Sequence, residues 1–130
     1  MVEVTKIRAV LFAKDLSRMA NFYSESFGME SGQKDEYHAV LTRGGFDLII
    51  HQIPSHIATG IEIAQPPVRR EAGSVRLDYP VDSIADSRSL ARSLGGEIDE
   101  VPPAWADRGA NFFLGHDPEG NVFGVSQQGA

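Results

Sequence analysis

Residues 7–30 read IRAVLFAKDLSRMANFYSESFGME. The chain from about Lys6 to Ala13 alternates like an extended strand, with Ile7, Ala9, Leu11 and Ala13 on one side. The period then lengthens. Leu16, Met19, Ala20, Tyr23 and Phe27 recur at helical spacing. Asp15 is placed to accept the free N–H groups of that helix's first turn, and Gly28 suits its C-terminal cap. Three short extended segments follow at Met29–Lys34, Tyr37–Thr42 and Phe46–Gln52. Polar or glycine-rich turns separate them, as strand boundaries require.

The same pattern returns. Shifting the chain by 68 positions sets Ile7 on Val75, Arg8 on Arg76, Leu16 on Ile84, Phe22 on Leu90 and Gly28 on Gly96. The second half predicts a strand near Val75–Val81, then a helix capped by Asp82 or Ser83. Its buried stripe is Ile84, Ser87, Leu90, Ala91 and Leu94, and Gly95-Gly96 ends it. Strands follow at Glu97–Val101, Asn111–Gly115 and Asn121–Gln127. The last two are joined by HDPEGN, whose Pro118 and Gly120 supply turn geometry. Each half therefore reads β-α-β-β-β. Residues 1–53 form the first module and 74–130 the second. Residues 54–73, PSHIATGIEIAQPPVRREAG, are the linker; its PPVRR suits a polyproline ligand or a phosphate clamp, and reads first as a stiff spacer.

Composition narrows the function classes. The chain has 130 residues, 42% of them hydrophobic, enough for one core. No apolar run approaches a membrane span, and MVEVTKIRAV lacks the layout of a signal peptide. There is no cysteine, hence neither disulfide nor thiolate chemistry. A net charge of −6 argues against a nucleic-acid partner. The expectation is a cytoplasmic protein with no membrane or nucleic-acid partner.

Two stretches are more specific. AKDLSRMANFYSESFGM resembles the opening V-x-D-L-x-x-S-x-x-FY-x-x-x-LG-M of the vicinal oxygen chelate superfamily, and DPEGNVF resembles its closing DP-[DE]-GN hairpin. That superfamily holds glyoxalase I, extradiol dioxygenases, and fosfomycin and bleomycin resistance proteins. The resemblance covers nearly the whole chain. It implies an α+β fold of two tandem βαβββ modules, forming cupped mixed sheets with the helices outside. It also implies a homodimer whose interface completes the cup.

In metal-dependent members, the first and last strands of each module supply the ligands, usually His or Gln and Glu. Carried over, the first-strand positions fall on Arg8 and Arg76, and the last strand of the second module offers Gly124. In the first module Asp47, Ile49 and His51 share one face, and His51 is the best donor among them. Arginine has no acceptor, and glycine has no side chain. No family-type metal and no other cofactor is expected.

Strand alternation places Arg8, Val10 and Phe12 toward the cup, with Asp47, Ile49 and His51, Arg76 and Asp78, and Val122, Gly124 and Ser126. The opposite residues, including Val75 and Ile7, are assigned to the core. Arg8 and Arg76 either pair with Asp47 and Asp78 or hold an anion bidentately. Trp105 in VPPAWADRG is a packing plug or a wall for a planar ligand, and Phe113 is a further apolar wall. His38, His56 and His116 read as exposed turn or loop residues.

Three functions follow. The first is a metal-independent protein that binds or sequesters a small, anionic ligand in the cup. The second is a lyase, isomerase or dioxygenase of the glyoxalase I type, using a metal or a pair of His51 with Asp47 or Asp78. The third is an interaction module with a vestigial cup.

Overall fold

A computed structural model describes residues 6–106 and 111–127. The outermost module ends, near residues 1 and 130, lie outside the described residues. The chain runs β1 (Ile7–Ala13), α1 (Leu16–Phe27), β2 (Glu30–Lys34), β3 (His38–Arg43), β4 (Phe46–Gln52), α2 (Ser55–Ala58), β5 (Leu77–Val81), α3 (Ile84–Ser93), β6 (Glu97–Ile98), β7 (Phe112–His116) and β8 (Val122–Gln127). Two four-stranded sheets form, ordered β1-β4-β3-β2 and β5-β8-β7-β6. In each, the module's first strand pairs parallel with its last and the remaining pairs are antiparallel. This is the doubled βαβββ architecture read from the sequence, with a single-turn helix added in the linker.

The helix ends follow their local chemistry. Asp15 accepts the Arg18 N–H, and Gly28 closes α1 at φ 64°, a left-handed conformation that costs glycine nothing. Ser83, rather than Asp82, caps α3 by accepting the Asp86 N–H. The first turn of α1 is also capped by distant residues. Glu119 takes the N–H of Lys14 and Asp15, each at 2.8 Å, and Gln52 takes that of Leu16 at 3.0 Å. Glu119 lies in the β7–β8 hairpin, so the second module completes a helix of the first.

The two modules share one core. Phe22, Tyr23 and Phe27 of α1 are buried with Tyr79 of β5 and Phe123 of β8. Phe27 stacks on Tyr79 at 4.7 Å and meets Phe123 edge-on at 4.9 Å. Such rings contribute roughly 1.5–3 kcal/mol each through burial, with a further increment from aromatic geometry. Below them the Tyr23 hydroxyl donates to Asp117 Oδ2 at 2.6 Å. Arg43 bridges the modules elsewhere, donating to the carbonyls of Phe27 and Pro80 at 2.6 and 3.0 Å.

Several expectations are corrected. Ile7 and Val75 are exposed rather than core. Ile7 opens an edge strand, and Val75 precedes β5 altogether. Leu90 is 39% exposed, because Ile84, Ser87 and Ala91 centre the buried stripe and Leu90 falls on its margin. The segment after Gly96 keeps strand geometry for two residues only. His116 is buried, not a turn residue, and His38 lies within β3, half-buried. His56 is exposed in α2.

Candidate functional site

Each sheet covers one face with a helix and leaves the other open. Register fixes what stands on the open face of the first sheet. Arg8, Asp47 and Thr42 form one rung, Val10, Ile49 and Val40 the next, and Phe12, His51 and His38 the third. Asp47 is buried among donors: Lys6 Nζ at 3.2 Å, Thr42 Oγ1 at 3.0 Å and Arg8 Nε at 3.8 Å. Desolvation opposes its charge, but these partners outweigh it and hold its carboxyl below the ordinary value. Arg8 remains largely in solvent. Phe12 is 60% exposed, and its ring lies 5.4 Å from that of His51.

The second sheet is filled by its own side chains. Arg76, just before β5, grips Asp78 with Nε and a terminal nitrogen at 2.7 and 3.0 Å. Its guanidinium lies 5.3 Å from the Trp105 ring and 5.2 Å from the Phe112 ring. Gly124 is directly opposite Asp78. A Cβ there would collide with the Asp78 carboxylate and sit 2.7 Å from the Phe112 ring. The glycine is therefore what lets this stack form.

Phe113 does not face the cup. It packs against the core, with Arg88 over its ring at 4.9 Å, and Phe112 takes the cup side. The signal was present: the HDPEGN turn pairs His116 with Val122, and counting back by twos reaches Leu114 and Phe112. The linker arginines of PPVRR, read from the sequence mainly as part of a stiff spacer, have structural partners. Arg69 makes a bidentate pair with Asp99 at 3.0 and 2.9 Å and donates to His116 Nδ1 at 3.0 Å. Arg70 N–H donates to the Gly120 carbonyl at 2.8 Å, which ties the linker to the hairpin.

That linker rims a cleft of about 580 Å³, within the range of small-molecule sites. Val10 and Leu11 of β1, Tyr79 of β5, Val122 of β8 and exposed Trp105 form its walls. The charged residues lining it are Arg69, Arg70, Arg76 and Glu71. Arg69 and Arg76 are paired with Asp99 and Asp78; the exposed Arg70 side chain has no carboxylate partner among the described residues. Arg8 is not among the lining residues. The two sequence-singled arginines are thus not brought to one cleft.

His116 ties this rim to pH. Burial and the adjacent Arg69 push its pKa below the ordinary value of 6.5, while Glu97, Asp117 and Asp99 pull the other way. The neutral ring accepts from Arg69; a protonated ring has no lone pair there to offer. A depressed base stabilises the fold above its unfolded pKa and loses that contribution as pH falls below it. Stability should therefore decline as pH drops through about 6.5 and below. Urea midpoints across pH 5–8 should show this slope in the wild type and lose it in His116→Gln.

The superfamily's metal can be tested against these positions. Val10 faces Ile49 as its repeat equivalent Asp78 faces Gly124. The fourth ligand position is therefore Ile49, not His51. Arg8, Ile49, Arg76 and Gly124 provide no anionic or imidazole donor. Among the described residues no group of three or more His, Cys, Asp or Glu is arranged to hold an ion. The residues do not fit the group, and no chemical step is derived through it.

Comparison with known proteins agrees with this architecture. A glyoxalase/bleomycin resistance protein from Albidiferax ferrireducens T118 matches at TM-score 0.65 and 17% identity, covering 95% of this chain and 98% of its own. An integron cassette protein from the V. cholerae mobile metagenome matches at 0.62 and 24%, covering 99% and 98%. The fosfomycin resistance protein FosX from Listeria monocytogenes matches at 0.66 and 14%, covering 99% and 94%. At such identities the likeness concerns the fold. No curated protein gives a significant match. No helix among the described residues is long and apolar enough to cross a membrane. The model of the Glyoxalase-like domain matches residues 8–126, and with the doubled βαβββ fold this makes the chain a member of the glyoxalase-like family within the vicinal oxygen chelate superfamily.

Proposed function

We propose that the chain binds or sequesters a small anionic molecule with a planar or apolar part, using an arginine side chain of the linker as the cation. The observation that carries this is the cleft lining: the exposed Arg70 side chain, without a carboxylate partner among the described residues, beside an exposed tryptophan. Arg76, neutralised by Asp78, serves as a platform that holds Trp105. Arg70 supplies the free charge. A charge-assisted hydrogen bond contributes roughly 1.5–3 kcal/mol. Removing Arg70 should therefore weaken binding by about tenfold.

Catalysis by His51 gains no support from the geometry. Asp47 stands two rungs away, roughly 13 Å along the strand. Asp78 belongs to the other sheet and is held by Arg76. The experiment is a thermal-shift screen of carboxylates and phosphates, with hits titrated against Arg70→Ala and Trp105→Ala. Both variants should weaken the best hit. If neither does, or if only cationic and neutral compounds bind, the proposal fails.

The open faces support a second element of the reading, a homodimer. Val10 and Phe12 are exposed apolar residues on a sheet face, and β2 is an exposed edge along its whole length. A second copy covering that face would complete the cup. Light scattering should return roughly 28 kDa, twice the 14.2 kDa chain. Phe12→Asp should shift it to monomer. A wild-type monomer at high concentration would overturn the dimer alone.

A further inference from the structure

We propose that His38 and His51 form a two-imidazole site for a borderline divalent transition ion such as Ni²⁺, Cu²⁺ or Zn²⁺, separate from the superfamily's ligand positions. The two residues are direct cross-strand partners on β3 and β4. Their ring centroids are 4.4 Å apart, with planes at 76°. Rigid neighbouring strands therefore hold two imidazoles edge to face on an open face.

The tautomers are set by what surrounds them. His51 Nδ1 lies 2.9 Å from the Gln52 carbonyl oxygen. A carbonyl only accepts, so Nδ1 carries the hydrogen. His38 Nδ1 lies 3.3 Å from Asp35 Oδ1. Asp35 is itself fixed by the N–H groups of Tyr37 and His38 at 2.7 and 2.8 Å, which keep it a carboxylate. In the neutral state both rings thus present a bare Nε2. Donating the other nitrogen to a carbonyl or carboxylate is how metal-binding histidines are usually oriented and made more basic. Imidazole pairs favour Zn, Cu and Ni over hard cations.

Asp35 acts behind His38 rather than on the ion, so the protein supplies two donors. Water, or donor atoms of a small molecule, fill the remaining positions. Such an ion is held weakly and exchanges readily. The site lies on the rung of Phe12, one step beyond Ile49 on β4, and does not depend on the arginine cleft.

The test titrates the tag-free full chain with Ni²⁺ alone, then Zn²⁺, following affinity by calorimetry and histidine ring ¹⁵N shifts by NMR with Zn²⁺. The Nε2 signals of His38 and His51 should move together. His38→Ala and His51→Ala should each weaken binding by about tenfold or more, while His56→Ala leaves it unchanged. Movement of only one ring, affinity within about twofold of wild type in either alanine variant, or dependence on His56 would overturn the proposal. The wild-type ring shifts decide the matter even if a variant folds poorly.

Discussion

Asp117→Ala should lower the stability of the chain by about 3–5 kcal/mol, the range for breaking a buried charged network. Its Tm should fall by roughly 10–20 °C. Asp117 is fully buried at the start of the β7–β8 hairpin. Its oxygens accept the Tyr23 hydroxyl at 2.6 Å, the N–H groups of Glu119 and Asn121 at 2.9 and 3.1 Å, and the Asn121 side-chain amide. Burial raises its pKa despite those bonds, and burial, reinforced by the nearby Asp117 charge, pushes the Tyr23 hydroxyl well above its ordinary range. Alanine removes one acceptor group and leaves several buried donors without partners. Each such donor costs about 1–3 kcal/mol. Tyr23→Phe removes one bond and should cost about 1–2 kcal/mol. Urea denaturation of both variants checks the ordering. Should Asp117→Ala cost no more than Tyr23→Phe, Asp117 is not what ties the hairpin to α1.

The doubled fold was legible because local and global signals agree. Asp15, the stripe ending at Phe27, and Gly28 mark α1 without reference to anything distant, and the same grammar recurs 68 residues later. Failures cluster where tertiary context overrides pattern. Val75 continues an apolar alternation, yet no strand partner reaches it. His116 sits beside a turn signal, yet the linker folds back and Arg69 buries it. Glu119 looks like an ordinary turn residue, and nothing nearby in sequence announces that it caps a helix 104 residues away.

Less of the site could be read. The pairs Arg8–Asp47 and Arg76–Asp78 were named from alternation and both exist, but their environments differ. Asp47 is shared among Lys6, Thr42 and Arg8, while Asp78 belongs to Arg76 alone. Alternation gives faces; it does not give which charges compete for one acceptor. The Phe112/Phe113 choice turned on a one-residue register, where a slip moves every side chain to the opposite face. Arg70 stood out only within PPVRR, since its place in the cleft depends on how the linker crosses the hairpin.

Gly124→Glu restores a carboxylate at a superfamily ligand position, and it should damage the protein rather than equip it with a metal. The space above Gly124 is taken by Asp78 and the Phe112 ring. A methyl group alone overpacks this point, so Gly124→Ala should cost about 1–3 kcal/mol. Glutamate adds bulk and a second negative charge beside Asp78, whose partner Arg76 is already engaged; its cost should be at least about 3 kcal/mol. Metal should not compensate, because Arg8, Ile49 and Arg76 add no donor. Elemental analysis in a His38→Ala background, which removes the imidazole pair, should find no stoichiometric Zn, Ni, Fe or Mn with either Gly124 or Glu at that position, and chelator should leave both Tm values unchanged. A Gly124→Glu protein that melts with the wild type and gains about one chelator-removable ion per chain would show that the position still serves a metal.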